Sequence, residues 1–211
     1  LFKTYGPQQW WPARTPFEVM LGAVLTQNPA WSNVEMAIAN LYAADALDAD
    51  VILRSPPQRV AAWLRPAGYF NVKAKRLRNL CSWYVQRGGE KKLRRMDSAA
   101  LRHELLAING VGPETADDIL LYAFHRPVFV IDAYTRRIFS RLRMAADDEP
   151  YDDMRGLVEQ SLRDETLGKR KLTPLFNEYH ALIVRHGKEV CRPRPRCTLC
   201  CLAAHCPTAS L

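Results

Sequence analysis

The sequence predicts an all-α protein. Three observations carry this expectation. Apolar residues recur at three- and four-residue spacing along most of the chain, helix-start signatures precede several of those stripes, and only one short run has strand character. Thr15-Pro-Phe-Glu18 reads as a capping box with proline at the first helical position, and Phe17, Leu21, Val24 and Leu25 form the stripe behind it. Ser32-Asn-Val-Glu35 reads as a second capping box, leading into Val34, Ala37, Ile38 and Leu41. Weaker helical patterns cover 57–65, 72–87, 98–108, 153–163 and 172–187. Val128-Phe-Val-Ile131 is the strand candidate, but a run that short cannot be told from a buried helical turn by periodicity. Turn signals stand at Arg65-Pro-Ala-Gly68, Gly88-Gly89 and Asn109-Gly-Val-Gly-Pro113.

The 211 residues suffice for one large or two small domains. No apolar run approaches the roughly 20 residues that span a membrane, so no membrane partner is expected. The opening LFKTYGPQQWWP holds no apolar h-region, so no secretory signal is expected either. The formal net charge is +8, and basic runs lie at Lys73–Arg78, Lys91–Arg95 and Lys169–Lys171. This balance points to a polyanion, nucleic acid first, against the plainer reading of solvated helix faces. Five of six cysteines lie between Cys191 and Cys206, which suggests a reducing, cytoplasmic setting and a metal site rather than a disulfide framework.

One stretch carries chemistry. Leu101, Leu105 and Ile108 mark a helix face, Asn109-Gly110-Val111-Gly112-Pro113 breaks it, and a second helix follows with Ala116, Ile119, Leu120 and Ala123 as its apolar face. Glycine allows positive φ and close approach to the backbone. The second helix offers unpaired N–H groups and its positive end to an anion. Gly110, Gly112 and Thr115 are therefore candidate contacts to a DNA backbone, read without regard to sequence. Taken alone, a Gly-x-Gly between helices is equally a tight αα-turn.

Beyond the hairpin comes Val128-Phe-Val-Ile-Asp132-Ala-Tyr-Thr-Arg-Arg137. With this segment the chain resembles the helix-hairpin-helix DNA glycosylase superfamily, in its endonuclease III branch, from Tyr5 to Cys206. The resemblance implies a base-excision repair glycosylase that cleaves the N-glycosidic bond of a damaged, flipped-out base in double-stranded DNA, with Asp132 catalytic. The chemistry suits the residue. Breaking that bond builds positive charge on the sugar, which a fixed carboxylate stabilises while it orients or deprotonates a water. Asp132 also reads as the cap of a helix beginning at Ala133, and the two roles are compatible.

Bifunctional members of this family carry a lysine in the hairpin that attacks the sugar as a Schiff-base nucleophile. Glu114 stands at that position in Pro113-Glu-Thr-Ala116, so the resemblance implies a monofunctional enzyme with lyase activity absent or weak. Trp10-Trp11-Pro12 resembles the endonuclease III-like 3-methyladenine glycosylases, which implies that Trp11 and Trp31, the latter following the Thr26-Gln27-Asn28 turn, sandwich the base and that Lys188 approaches the pocket. Alkylated purines carry positive charge, and an indole face attracts it by roughly 0.5–2 kcal/mol. The family places a polar wedge at Gln27 and an apolar one at Tyr69, filling the gap left by base flipping. Each has a structural alternative: core packing for the tryptophans, a buried ring for Tyr69, a surface lysine for Lys188.

At the C-terminus, Cys191, Cys197, Cys200 and Cys206 are separated by gaps of five, two and five residues. Four thiolates in a compact loop suit a [4Fe–4S] cluster, with a four-thiolate zinc site as the alternative. The family's first gap is six residues, so this loop is one shorter, and Cys201 is extra. Arg192, Arg194 and Arg196 stud the loop as phosphate contacts. The expected organisation is a helical barrel at 16–131 holding the hairpin and a cluster lobe of 1–15 plus 132–211, with the DNA cleft between them and Asp132 at its floor. The protein is expected to be a monomer associated with the nucleoid. The functional alternatives are an endonuclease III-like glycosylase for oxidised pyrimidines and a DNA-damage binder without catalysis.

Overall fold

The computed structural model describes residues 1–27, 30–163 and 169–210, the side chains of 169–171 excepted. Asn28 of the Thr-Gln-Asn turn and the side chains of the basic run Lys169–Lys171 thus lie outside the described residues. Among the described residues all regular structure is helical. The first half holds α1 (Phe2–Tyr5), α2 (Pro16–Leu25), α3 (Trp31–Ala43), α4 (Ala49–Arg54), α5 (Pro57–Trp63) and α6 (Phe70–Gln86). There follow α7 (Gly89–Leu93), α8 (Ser98–Leu106), α9 (Pro113–Asp118), α10 (Ala133–Arg141), α11 (Tyr151–Arg163) and α12 (Lys169–Glu189). No described helix is long and apolar enough to cross a membrane.

The chain divides into two compact units, Ala13–Phe124 and Leu1–Pro12 with His125–Leu211. In the first, α2 is the core. Every residue from Phe17 to Leu25 is buried, as expected for a helix that is apolar all round. Its start follows the capping box: Thr15 accepts from the Glu18 N–H at 3.1 Å, while the Glu18 carboxylate accepts from the Arg14 N–H at 2.8 Å and the Tyr42 hydroxyl at 2.7 Å. α2 packs against α3, α6, α9 and a π-helical turn at Ile119–Ala123. Full burial of Leu21, Val24 and Leu25 contributes about 1.5–3 kcal/mol each.

The second capping box does not form. α3 begins at Trp31, with Ala30 as its extended N-cap and no side-chain cap bond, so Ser32 lies inside the first turn. A cap is worth about 1 kcal/mol. Burial of Val34, Ala37, Ile38 and Leu41 outweighs it and places the helix start without the box.

In the second unit α10 packs on α12. The strand candidate Val128–Ile131 is buried but has no sheet partner among the described residues. Side chains of α11 and its first residue satisfy its backbone: Glu159 Oε1 accepts from the Phe129 N–H at 2.9 Å, and the Tyr151 hydroxyl accepts from the Ile131 N–H at 3.3 Å. The segment thus runs as a buried thread that delivers Asp132 to the start of α10.

Candidate active site

Asp132 is the N-cap of α10, with extended backbone (φ −91°, ψ 179°) and a side chain 11% exposed. Its Oδ1 accepts from the Thr135 N–H at 2.7 Å. Its Oδ2 stands 3.6 Å from His180 Nε2 of α12, an electrostatic contact slightly beyond hydrogen-bond length. Burial opposes ionisation of this carboxyl. The imidazole and the Thr135 N–H outweigh it, and the group is held below its ordinary value. The result is a buried carboxylate fixed in its charged form at a helix N-terminus, suited to meet developing positive charge.

His180 was not singled out in the sequence. It lies within the apolar stretch Tyr179–Val184, and its pairing with a residue far away in sequence is a tertiary fact. Around the carboxylate, Tyr134 has its phenol pushed up, by burial first and then by the charge of Asp132. The Tyr134 ring lies under two cations, with the Arg137 guanidinium 5.2 Å and Lys188 Nζ 5.9 Å from its centroid. Gly187 meets this ring so closely that a Cβ there would come within 2.6 Å of it. Lys188 is exposed and also stands 5.6 Å from the Trp10 ring, which in turn tilts against Trp11 at 5.9 Å. Asp132, Tyr134, Lys188, Trp10 and Trp11 thus belong to one unit. An apolar cavity of about 510 Å³ in the same unit, lined by Phe2, Ile138, Leu142, Leu175 and Leu182, includes none of the predicted site residues.

In the other unit, the hairpin forms as expected between α8 and α9. Gly110 has φ +100°, and a Cβ there would meet Arg76 Cγ at 2.3 Å. Gly112 is the N-cap of α9 with φ −96°, and a Cβ there would meet open space. The two glycines therefore do different things: Gly110 answers a backbone demand, and Gly112 leaves a bare helix start. Glu114 is exposed on the first turn of α9, while Thr115 is buried. Arg102 of α8 grips the fully buried Asp117 of α9 through two bonds of 2.7 and 3.1 Å.

Three predicted DNA contacts come together here. Gln27 Nε2 donates to the Gly110 carbonyl at 3.1 Å and to Thr115 Oγ1 at 3.0 Å, and its Oε1 accepts from Arg76. Arg76 was missed in the sequence because it sits in a basic run that reads as a solvated face. Tyr69 is 75% exposed in left-handed conformation (φ 44°), so its ring is not buried. Trp31 is half-buried at the start of α3. Lys73, also from the basic run, is 1% exposed; its Nζ donates to the Leu25 carbonyl at 2.8 Å and the Ala67 carbonyl at 2.7 Å. It ties the end of α2, next to Gln27, to the turn that leads to Tyr69. Burial, then the neighbouring Arg76, lowers this ammonium to about 8.

The cysteine loop is held by α10. Arg137 donates to the carbonyls of Cys191 and Gly187 at 2.8 and 3.0 Å. Arg141 reaches Cys191 Sγ at 3.2 Å and the carbonyls of Arg192 and Pro193 at 2.7 and 3.0 Å. Cys191, Cys197, Cys200 and Cys206 are free and half-buried. Burial raises the Cys200 thiol, and the charges of Cys201, Cys191 and Cys206 raise it further. Among the described residues no three His, Cys, Asp or Glu side chains form a group that could hold a metal ion. Arg192, Arg194 and Arg196 are exposed along the loop.

A buried, ionised aspartate at a helix cap in one unit and a two-glycine hairpin opening a helix in the other are compatible with an enzyme that acts on a polyanion. The comparisons agree. Residues 21–164 match the model of the HhH-GPD superfamily base excision DNA repair proteins, and the chain belongs to that superfamily. A Methanocaldococcus jannaschii protein, MJ1434, named as a candidate DNA repair glycosylase, is 44% identical over 209 residues, covering 98% of this chain and 92% of its own. Endonuclease III of Sulfolobus acidocaldarius is 28% identical over 195 residues, covering 92% and 82%. Among solved structures, the H. pylori 3-methyladenine DNA glycosylase MagIII bound to 1,N6-ethenoadenine superposes with a TM-score of 0.76 at 29% identity, covering 88% of this chain and 91% of that one. An endonuclease III–DNA complex superposes with a TM-score of 0.79 at 20% identity, covering 98% and 90%, a likeness of fold. The protein is a DNA N-glycosylase of base excision repair.

Proposed function

We propose that this glycosylase is monofunctional and releases alkylated purines such as 3-methyladenine, with Asp132 as its catalytic carboxylate. The observation that carries the reading is an exposed Glu114 at the hairpin position where a lysine nucleophile would stand; the buried, ionised Asp132 is a separate feature of the other unit. A carboxylate cannot form a Schiff base, so water is the nucleophile. The water oxygen attacks the sugar carbon C1′ and the N-glycosidic bond breaks with its electron pair leaving on the base. The water proton passes to Asp132. An alkylated purine leaves readily because it is already cationic. Trp11, Trp31 and Lys188 are assigned to the base pocket, and MagIII, named for 3-methyladenine, supports that substrate class.

Gly110, Gly112 and Thr115 are assigned to the phosphate contact, and Gln27 and Tyr69 to the duplex gap. Tyr69 suits that role by its exposure. The Gln27 amide is engaged by Arg76, Gly110 and Thr115, so it enters the gap only by exchanging those bonds.

Cys191, Cys197, Cys200 and Cys206 are assigned to a [4Fe–4S] cluster. The reading rests on four free thiols carried by one loop, with the Arg141 guanidinium on Cys191 Sγ to offset thiolate charge. Bound there, the cluster supplies a brace for the loop, and the exposed arginines present that loop to phosphate. The purified protein should be brown, with absorbance in the visible blue; a colourless, zinc-loaded protein would remove the cluster from this reading.

A panel of duplexes, each with one lesion, tests the substrate. Release of 3-methyladenine with no strand cleavage is expected. Excision of thymine glycol with alkylated purines untouched would overturn the substrate class in favour of an endonuclease III-like activity.

A further inference from the structure

We propose that His180 is the positioning residue of this site: its imidazole, carried on α12, fixes the rotamer of Asp132 through the oxygen that the helix cap leaves over. This rests on the reading of Asp132 as the catalytic carboxylate.

His180 is 4% exposed, in a stretch where Ala181, Leu182 and Ile183 are buried and apolar. A polar ring in such surroundings is costly unless it meets a polar partner. The partner on Nε2 is Asp132 Oδ2 at 3.6 Å. The ring is held edge-on to Phe129 with centroids 6.2 Å apart, and Phe129 belongs to the thread that ends at Asp132. One packing arrangement therefore sets both the aspartate backbone and the imidazole that faces its side chain.

The two carboxylate oxygens are thereby distinguished. Oδ1 is taken by the Thr135 N–H at 2.7 Å, which any helix N-cap would achieve. Capping alone leaves Oδ2 free to swing about the side-chain bond. A closure of a few tenths of an ångström would convert the His180 contact into a hydrogen bond, as often happens when substrate seats. Each oxygen keeps a further lone pair, and those are what remain for the water and the sugar.

Electrostatics works in the same direction. Burial pushes Asp132 towards its neutral, inert form, and His180 is the larger of the two influences that oppose it. The other groups around the pair add little opposing charge. From α10, Tyr134 has its phenol pushed up, and from α12 so does Tyr179, both by burial first, so both stay neutral. Lys188 lies beyond the Tyr134 ring. From α11, Glu159 and Tyr151 are engaged with the amides of Phe129 and Ile131.

The test is single-turnover excision as a function of pH, on whichever duplex of the lesion panel the wild type processes fastest. His180→Phe keeps the volume and removes the polar contact, with His180→Leu as the substitute if the first fails to fold. The expected result is a rate loss of about tenfold or more at neutral pH and an acidic limb displaced upward. Duplex affinity should stay near wild type, while the melting temperature should fall modestly at neutral pH, because the contact that holds the folded carboxyl ionised is lost. His180→Gln keeps an N–H donor and should recover most of the rate. An unchanged rate and limb in the apolar variant would overturn the proposal, and so would equal losses in all variants with the limb unmoved, since packing alone then explains them. Failure of the underlying reading looks different: Asp132→Asn would excise like wild type, or wild type would be inert on every duplex.

Discussion

At the scale of the residue, Asp132 caps α10 and is the proposed catalytic carboxylate, two roles that separate on substitution. Asparagine caps helices about as well as aspartate, so Asp132→Asn should keep stability within about 1 kcal/mol. The same change removes the charge proposed to meet the sugar cation and should lower single-turnover excision by about 1,000-fold, with duplex binding retained. Melting curves, gel-shift titration and base release on one preparation check the three parts. A carboxyl lowered in the folded state contributes stability above its ordinary value, and that contribution is lost only as pH falls through the lower folded value. Lys73 is the opposite case. Its ammonium is lowered to about 8 by burial, yet both of its carbonyl partners are protein backbone. Lys73→Met leaves those carbonyls without a donor and should cost about 2–3 kcal/mol in chemical denaturation.

At the scale of the element, the hairpin glycines are predicted to fail differently. Gly110→Ala must place a Cβ at φ +100° and against the root of the Arg76 side chain, so it should destabilise the first unit by about 1–3 kcal/mol. Gly112→Ala meets neither obstacle and should leave stability near wild type. It puts a methyl group where the proposed phosphate approaches, so duplex affinity should fall several-fold. Calorimetry and fluorescence anisotropy on the pair separate the two effects, and equal behaviour would contradict the division of labour. The hairpin also offers a gain-of-function test. Glu114→Lys restores an amine on the first turn of α9, and borohydride trapping with abasic DNA should yield an adduct in the variant and little or none in the wild type. A strong wild-type adduct would show that another amine serves as nucleophile.

At the scale of the whole molecule, the net charge of +8 implies that non-specific DNA binding is electrostatic. Neutralising about four phosphates would weaken binding to undamaged duplex by roughly 100-fold between about 50 and 200 mM salt. A flat salt dependence would show that the basic runs do not face DNA. Two members of one such run, Lys73 and Arg76, already point inward, to backbone carbonyls and to Gln27. Formal charge therefore overstates what is available to phosphate. α10 carries another long-range relation, with Asp132 at its start and the cysteine-loop arginines Arg137 and Arg141 further along.

The sequence by itself determined the helical class, the start of α2, the hairpin and the cap at Asp132. These are local features: periodicity, capping chemistry and glycine backbone freedom act within a few residues and are written consecutively. It also showed Glu114 at the hairpin position where the resemblance leads one to expect a lysine, which is a matter of identity at one position. It misplaced the start of α3, where burial of the helix outweighed a cap worth about 1 kcal/mol. Val128–Ile131 stayed ambiguous because its amides are satisfied by side chains of residues distant in sequence. Only the tertiary structure decided that Lys73 and Arg76 are internal ties rather than a solvated face, that Gln27 meets Gly110 and Thr115, and that His180 faces Asp132. Each of these joins residues far apart in the chain, and no pattern within a single helix encodes which distant side chain will satisfy a buried polar group.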